Sequence, residues 1–210
     1  MKHETQNTEH GTRNMISYFQ THWIEIVGAI LSLIYLDLSI RAKVSLWFFG
    51  IISSLFYIVV FFQTKFYADM SLQLYYVLIS IYGWINWKSG EKGNHELPTA
   101  KLTKKLSLIL VLATILIYFI YYLILSRFTD SIIPKSDALV GALSVIGTWM
   151  LAKKLIENWL VWIAADALCV GLYLYKELYP TAILFIIYSV MAIVGYWQWK
   201  KKLQYANMPI

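Results

Sequence analysis

Seven apolar runs, each close to the roughly 20 helical residues that cross a bilayer core, restrict what this chain can fold into more than any other feature. They occupy 23–40, 44–63, 67–87, 106–125, 137–152, 158–175 and 181–199. Read as helices, they give an all-α polytopic membrane protein with seven transmembrane segments. A water-soluble domain of 210 residues has no core large enough for this apolar surface: 59% of the residues are apolar and 14% charged, against ~45–50% and ~25% in globular chains. The lipid bilayer is therefore the expected partner. The polar tail 1–22 lacks the short apolar core of a signal peptide, so the first run is expected to be a retained helix. Cys169 is the single cysteine, lies inside an apolar run and can form no intramolecular disulfide.

Orientation follows from the 18 Lys and Arg residues. Lys2, Arg13, Lys65, Arg127, Lys135 and Lys176 fall on one side of the seven runs. Arg41, Lys43, Lys88, Lys92, Lys101, Lys104, Lys105, Lys153, Lys154, Lys200, Lys201 and Lys202 fall on the other. Positive charge favours the cytoplasm, which predicts an N-terminus outside and a C-terminus inside. The net charge of +6 is spent on these connections, so nucleic acid is not an expected partner.

Two segments echo each other. Gly83-Trp84-Ile85-Asn86-Trp87-Lys88 closes the third run and Gly195-Tyr196-Trp197-Gln198-Trp199-Lys200 the seventh, 112 positions later. At the same offset Tyr67 meets Tyr179, Trp47 meets Trp159 and Arg41 meets Lys153; one residue of slip pairs Gly28 with Gly141. The expected organisation is a polar tail (1–22), a three-helix unit (23–87), a polar cytoplasmic loop (88–105), a linking helix (106–125), a second three-helix unit (137–199) and a basic tail (200–210). One linking helix leaves the two units parallel, a 3+1+3 repeat with its ligand site near mid-membrane between the halves.

Helical periodicity then collects the polar residues into stripes. The sixth run carries Trp159, Trp162, Asp166, Cys169 and Tyr173 on one face; the second carries Trp47, Gly50, Ser54, Tyr57 and Phe61 at equivalent positions. The third carries Asp69, Gln73, Tyr76, Ser80, Gly83 and Trp87, and the seventh Thr181, Phe185, Tyr188, Ala192, Gly195 and Trp199. Asp166 stands mid-run, where an acid costs ~2.5–3.5 kcal/mol on insertion scales and so faces a cavity or a partner. A carboxylate among indole and phenol faces suits a flat organic cation; a structural pair with a Tyr or Lys is the alternative. Gln73 and Tyr76 offer hydrogen bonds to hydroxyls or an amide, or else pack helices together. Trp84, Trp87, Trp197 and Trp199 sit where an interfacial aromatic belt is expected, Gly83 and Gly195 where helices approach closely, and Glu25, Asp37 and Asp69 near run ends where water reaches them.

Catalytic and cofactor motifs are missing. His3, His10, His22 and His95 lie in the tail or a loop, and no HExxH, CxxC, GxSxG or GxxxxGK[ST] occurs. No metal, no cofactor and no enzymatic activity are expected.

The stretches Phe66-Tyr67-Ala68-Asp69 to Gln73, Ile81-Tyr82-Gly83-Trp84-Ile85-Asn86-Trp87, and Glu157-Asn158-Trp159-Leu160-Val161-Trp162 to Asp166 resemble the PnuC family of bacterial vitamin transporters, over about residues 23–200. The resemblance implies a SWEET-like fold, a homotrimer, and facilitated uptake of nicotinamide riboside across the inner membrane, trapped by cytoplasmic phosphorylation. It also implies that Asn158, Trp159 and Trp162 belong to the substrate site. The helix stripes extend that expected site to Asp166, Gln73, Tyr76, Ser80 and Tyr188. Thiamine, carried by the similar PnuT proteins, is an equally flat cation and stays open, as does a membrane receptor or capture subunit that transports nothing itself.

Overall fold

Seven helices account for nearly all the residues described in the computed structural model, which are 27, 28, 30–63, 67–89, 97–129 and 131–206. In chain order they are α1 (Ile30–Ile40), α2 (Leu46–Gln63), α3 (Tyr67–Ser89), α4 (Lys104–Phe128), α5 (Pro134–Ala152), α6 (Asn158–Tyr175) and α7 (Tyr179–Ala206). Each apolar run overlaps one of them, the first over its described part. Helix α4 starts earlier than its apolar run because Thr103 caps it, accepting from the Leu106 N–H at 3.3 Å. Helix α5 starts at Pro134, whose fixed φ suits a first turn and whose missing N–H has no partner to lose there. Helix α7 outruns its apolar stretch because Lys200, Lys201 and Lys202 are good helix formers that need no lipid. The histidines, Glu25, the tail 1–22 and residues 90–96 of the loop lie outside the described residues, as does the side chain of Asp69.

Helices α4 and α6 and most of α7 are long and apolar enough to cross a membrane. Helix α5 is less apolar because it faces protein on most sides: Ala138, Gly141, Ala142, Ser144, Gly147 and Thr148 are buried along it, the small-residue surface that lets helices approach in a membrane. It packs on α3, α4 and α6, while α2 pairs with α3 and α6 with α7. On α4, in contrast, Leu110 alone is buried.

The α1–α2 and α5–α6 corners share one backbone course, 112 residues apart. Ala42 and Lys154 both adopt φ 57°, a left-handed conformation that costs a residue with a Cβ about 1–2 kcal/mol. Matching hydrogen bonds offset it. Ala42 N–H donates to Ser39 O at 3.0 Å and Lys43 N–H to Leu38 O at 2.9 Å; Lys154 N–H donates to Leu151 O at 2.8 Å and Leu155 N–H to Met150 O at 3.0 Å. A Cβ on Gly28 would meet Tyr57 and one on Gly141 would meet Tyr121, so the two glycines face different neighbours.

The end of the polar loop is not a loose linker. Ala100 N–H donates to Lys154 O, Ile156 N–H donates to Ala100 O, both at 3.0 Å, and Leu102 N–H donates to Glu157 Oε2 at 2.9 Å. This strap ties the loop to the α5–α6 corner.

Between the two corners lies a tryptophan core. Trp47 meets Trp87 edge to face at 5.4 Å, Trp87 meets Trp199 at 6.1 Å, and Trp199 meets Trp159 edge to face at 5.6 Å. All four rings are buried. Two of the four expected belt residues are therefore core residues: Trp87 and Trp199 point inward because their indole N–H groups find backbone carbonyls there. Trp84 and Trp197 keep the surface position, each under a lysine, Lys88 and Lys200, at 5.3 Å. Gly83 and Gly195 make room for the Trp47 and Trp159 rings, a close approach only a residue without Cβ allows.

Candidate functional site

Helix α6 carries the residue around which the site is built. Asp166, at mid-helix, is 6% exposed. Among the described residues neither a cation nor a hydrogen-bond donor pairs with its carboxylate. Its side chain opens on a cavity of about 320 Å³. Trp159, Trp162, Cys169 and Tyr173 line the same cavity from α6, so the whole stripe is turned inward. Phe185, Tyr188 and Ala192 face it from α7; Tyr173 and Phe185 stack at 5.1 Å, 25° from parallel.

A second cavity of about 250 Å³ lies among α1, α2 and α3. Gly50, Ser54 and Tyr57 of α2 and Gln73, Tyr76 and Ser80 of α3 line it. Ser32, Tyr35, Tyr76 and Trp162 line both cavities, which therefore meet at these four side chains. Neither lining contains a Lys, Arg or His among the described residues. The combined space is aromatic, hydroxyl-rich and carries one acidic group.

Two tyrosine–serine pairs, again 112 residues apart, line the 320 Å³ cavity: Tyr76 of α3 with Ser144 of α5, and Tyr188 of α7 with Ser32 of α1. Each pair draws on the third helix of one group and the first of the other.

Of the eight residues singled out from the sequence, seven line these cavities: Trp159, Trp162, Asp166 and Tyr188 the larger, Gln73 and Ser80 the smaller, Tyr76 both, with Trp162 shared as well. Asn158 does not. It is fully buried at the start of α6, where its Nδ2 donates to Leu155 O at 2.6 Å. Its Oδ1, like the Trp159 indole N–H, has no hydrogen-bond partner among the described residues. The sequence reasoning passed over α1 and α5, which supply Ser32, Tyr35, Ser144 and Thr148 to the lining. Their signal was the 112 offset itself, which sets Ser32 opposite Ser144. The exposed Asp37 is paired with Arg41 at 2.9 Å, away from the cavity. Among the described residues no group of three His, Cys, Asp or Glu is placed to hold a metal ion.

An aromatic cavity with a lone carboxylate and several hydroxyls can desolvate and neutralise a flat cation of modest size. Comparison with known proteins places the chain among membrane transporters. The family model described as nicotinamide mononucleotide transporter matches residues 22–201. The nicotinamide riboside transporter PnuC of Escherichia coli (strain K12) is 26% identical over 206 residues, covering 86% of each chain. That of Neisseria mucosa is 24% identical over 190 residues, 85% of this chain and 72% of its own. The riboflavin/roseoflavin transporter RibM of Streptomyces davaonensis is 22% identical, over 90% and 89%. A crystal structure of the vitamin B3 transporter PnuC shares the fold with a TM-score of 0.71 at 23% identity, over 93% of this chain and 88% of that one.

Proposed function

Because the chain belongs to the nicotinamide mononucleotide transporter family, a family of membrane transporters and not of enzymes, we propose that it carries nicotinamide riboside across the bacterial inner membrane. The observation that carries this reading is Asp166, an unpaired carboxylate in an aromatic cavity without basic residues. The pyridinium of a riboside supplies the missing positive charge. Trp162 and Trp159 offer faces for its ring, while Tyr76, Tyr188, Gln73 and Ser80 offer partners for its amide and ribose. A mononucleotide would bring a phosphate into a space with an acid and no base. A flavin would bring no cation for Asp166. The family's transport role leaves the receptor and capture-subunit alternatives without support.

The proposed architecture is the SWEET-like 3+1+3 repeat, two units (23–87 and 137–199) joined by the helix over 106–125. The twin corners, the twin tyrosine–serine pairs on the cavity wall and the twin tryptophan pairs, all at an offset of 112, support it. The units would rock about the shared cavity and expose it to each face in turn. The riboside would run down its gradient and be trapped by cytoplasmic phosphorylation. The lysines seated on Trp84, Tyr82 and Trp197 at one end of the bundle support a cytoplasmic C-terminus. The unburied outer face of α4 offers a surface for the homotrimer that the resemblance implies.

Calorimetric titration of the purified protein with nicotinamide riboside and, separately, thiamine tests the substrate; uptake into liposomes containing no other protein tests transport. Binding and uptake of the riboside alone are expected. Preference for thiamine would reassign the substrate, and binding without uptake would overturn the transporter reading.

A further inference from the structure

A third cavity, about 680 Å³, opens beside the central one at the end of the bundle where α5 begins and α6 ends. It meets the 320 Å³ cavity at Val140, Ser144, Cys169 and Tyr173, which line both. At its mouth stands Asp137, with a side chain about one-third exposed. Ser131 Oγ donates to Asp137 Oδ2 at 2.6 Å and holds that oxygen fast. Oδ1 faces Lys176 Nζ at 3.8 Å, within ion-pair range but too far for a hydrogen bond. The contrast with Arg41 and Asp37, paired at 2.9 Å, is one of fit. Lys176 neutralises Asp137 without saturating it.

The walls between mouth and neck suit the same ligand chemistry as the centre. Tyr121 and Tyr173 present aromatic faces, Thr129 and Ser144 hydroxyls. Tyr121 lies across Gly141, where a Cβ would sit 3.2 Å from its ring. Lys176, which caps α6, lies ten positions beyond Asp166, about 15 Å farther along the helix axis at 1.5 Å per residue.

We propose that this side cavity is an outer receiving site for the organic aromatic cation, in which Asp137 exchanges the Lys176 ammonium for the ligand before the ligand passes the Val140–Tyr173 neck to Asp166. The proposal rests on the cation-transport reading above. Asp137 acts on capture, ahead of the central site. It binds the ligand at the outer site, and Lys176 competes with the ligand for it.

The test measures nicotinamide riboside uptake by proteoliposomes at low and high salt, beside calorimetric affinity, for the wild type, Asp137→Asn and Lys176→Ala. Asp137→Asn is expected to raise the uptake KM about tenfold at low salt, an effect that shrinks at high salt as electrostatic capture is screened. Its equilibrium affinity, set at the central site, should stay within about twofold of the wild type. Lys176→Ala should lower the KM. An unchanged KM in both variants, or a loss of affinity in Asp137→Asn equal to its loss in KM, would overturn the outer site. Should Asp137→Asn fold poorly, Lys176→Ala decides alone: a raised or unchanged KM refutes the exchange. Wild-type protein that takes up no riboside would instead overturn the transport reading, which separates the two failures.

Discussion

Trp87 and Trp199 each carry an indole N–H to the corner of the opposite half of the bundle. Trp87 Nε1 donates to Ala152 O at 3.2 Å, at the α5–α6 corner. Trp199 Nε1 donates to Ser39 O at 3.2 Å and Ile40 O at 3.1 Å, at the α1–α2 corner. The rings themselves are 6.1 Å apart. This crossed pair ties the ends of α3 and α7 to the two corners.

Removing the two donors separates the corners. In Trp87→Phe, Ala152 O keeps the bond from Asn86 Nδ2 at 2.9 Å. In Trp199→Phe, Ile40 O loses its side-chain donor. A buried polar group left unpaired costs about 1–3 kcal/mol, so Trp199→Phe should be the more destabilising of the two. Thermal unfolding in detergent checks this, with about 2–4 °C lost per kcal/mol in a chain of this size. Equal midpoints would deny the bifurcated bond any role.

The paired glycines allow a cleaner separation of stability from binding. A Cβ on Gly195 would meet the Trp159 ring at 2.6 Å, and a Cβ on Gly83 would meet the Trp47 ring. Either Ala substitution overpacks the core, at about 1–3 kcal/mol. Trp159, however, lines the central cavity, and Trp47 lines neither of the two that meet there. Gly195→Ala should therefore weaken riboside affinity as well as stability, whereas Gly83→Ala should lower stability alone. Calorimetry beside thermal unfolding reads both. An affinity loss in Gly83→Ala as large as in Gly195→Ala would show that the core moves as one block.

How much of this was open to reading from residues differs by helix. Helices were legible among the described residues, because runs of ~20 apolar residues have few uses other than crossing lipid. On α6 the inward face was legible too: one acid at mid-helix fixes which stripe turns away from lipid, and Trp159 to Tyr173 all line the cavity. Helix α5 was hard to read. Its lining residues are Ser, Thr and Gly, whose helical spacing serves packing as well as binding. The tryptophans divide for a related reason. Sequence position puts Trp197 and Trp199 at the same interface, but they point to opposite sides of α7, one 55% exposed and the other buried. Depth along a helix was readable; rotation about it needed a polar residue deep in an apolar run, as Asp166 is on α6, and the polar residues at that end of α7 lie where water reaches them.

Trp162 and Asp166 should fail in different ways. Trp162 stands over Gly147, where a Cβ would lie 3.1 Å from its ring, and it is shared by both cavities. Trp162→Ala removes a desolvated aromatic face worth about 1–2 kcal/mol to a cation, roughly tenfold or more in affinity. Asp166→Asn keeps the shape and removes the charge. It should weaken the cation by a similar factor while leaving an uncharged, reduced-ring analogue nearly unaffected. Competition calorimetry with the two ligands distinguishes them; equal losses in Asp166→Asn would make the carboxylate structural.

Charge also sets what the site refuses. The linings of the two meeting cavities offer a phosphate no Lys, Arg or His among the described residues and oppose it with Asp166. Like charges brought together at a desolvated site cost several kcal/mol. Nicotinamide mononucleotide should therefore bind more than about a hundredfold more weakly than the riboside, whose ring it shares. In Asp166→Asn that gap should narrow, because the repulsion goes while the desolvation of the phosphate remains. Displacement of bound riboside by the mononucleotide measures both. Comparable affinity of the two ligands for the wild type would mean that the phosphate finds a cation outside this cavity, and the riboside assignment would have to yield to the mononucleotide.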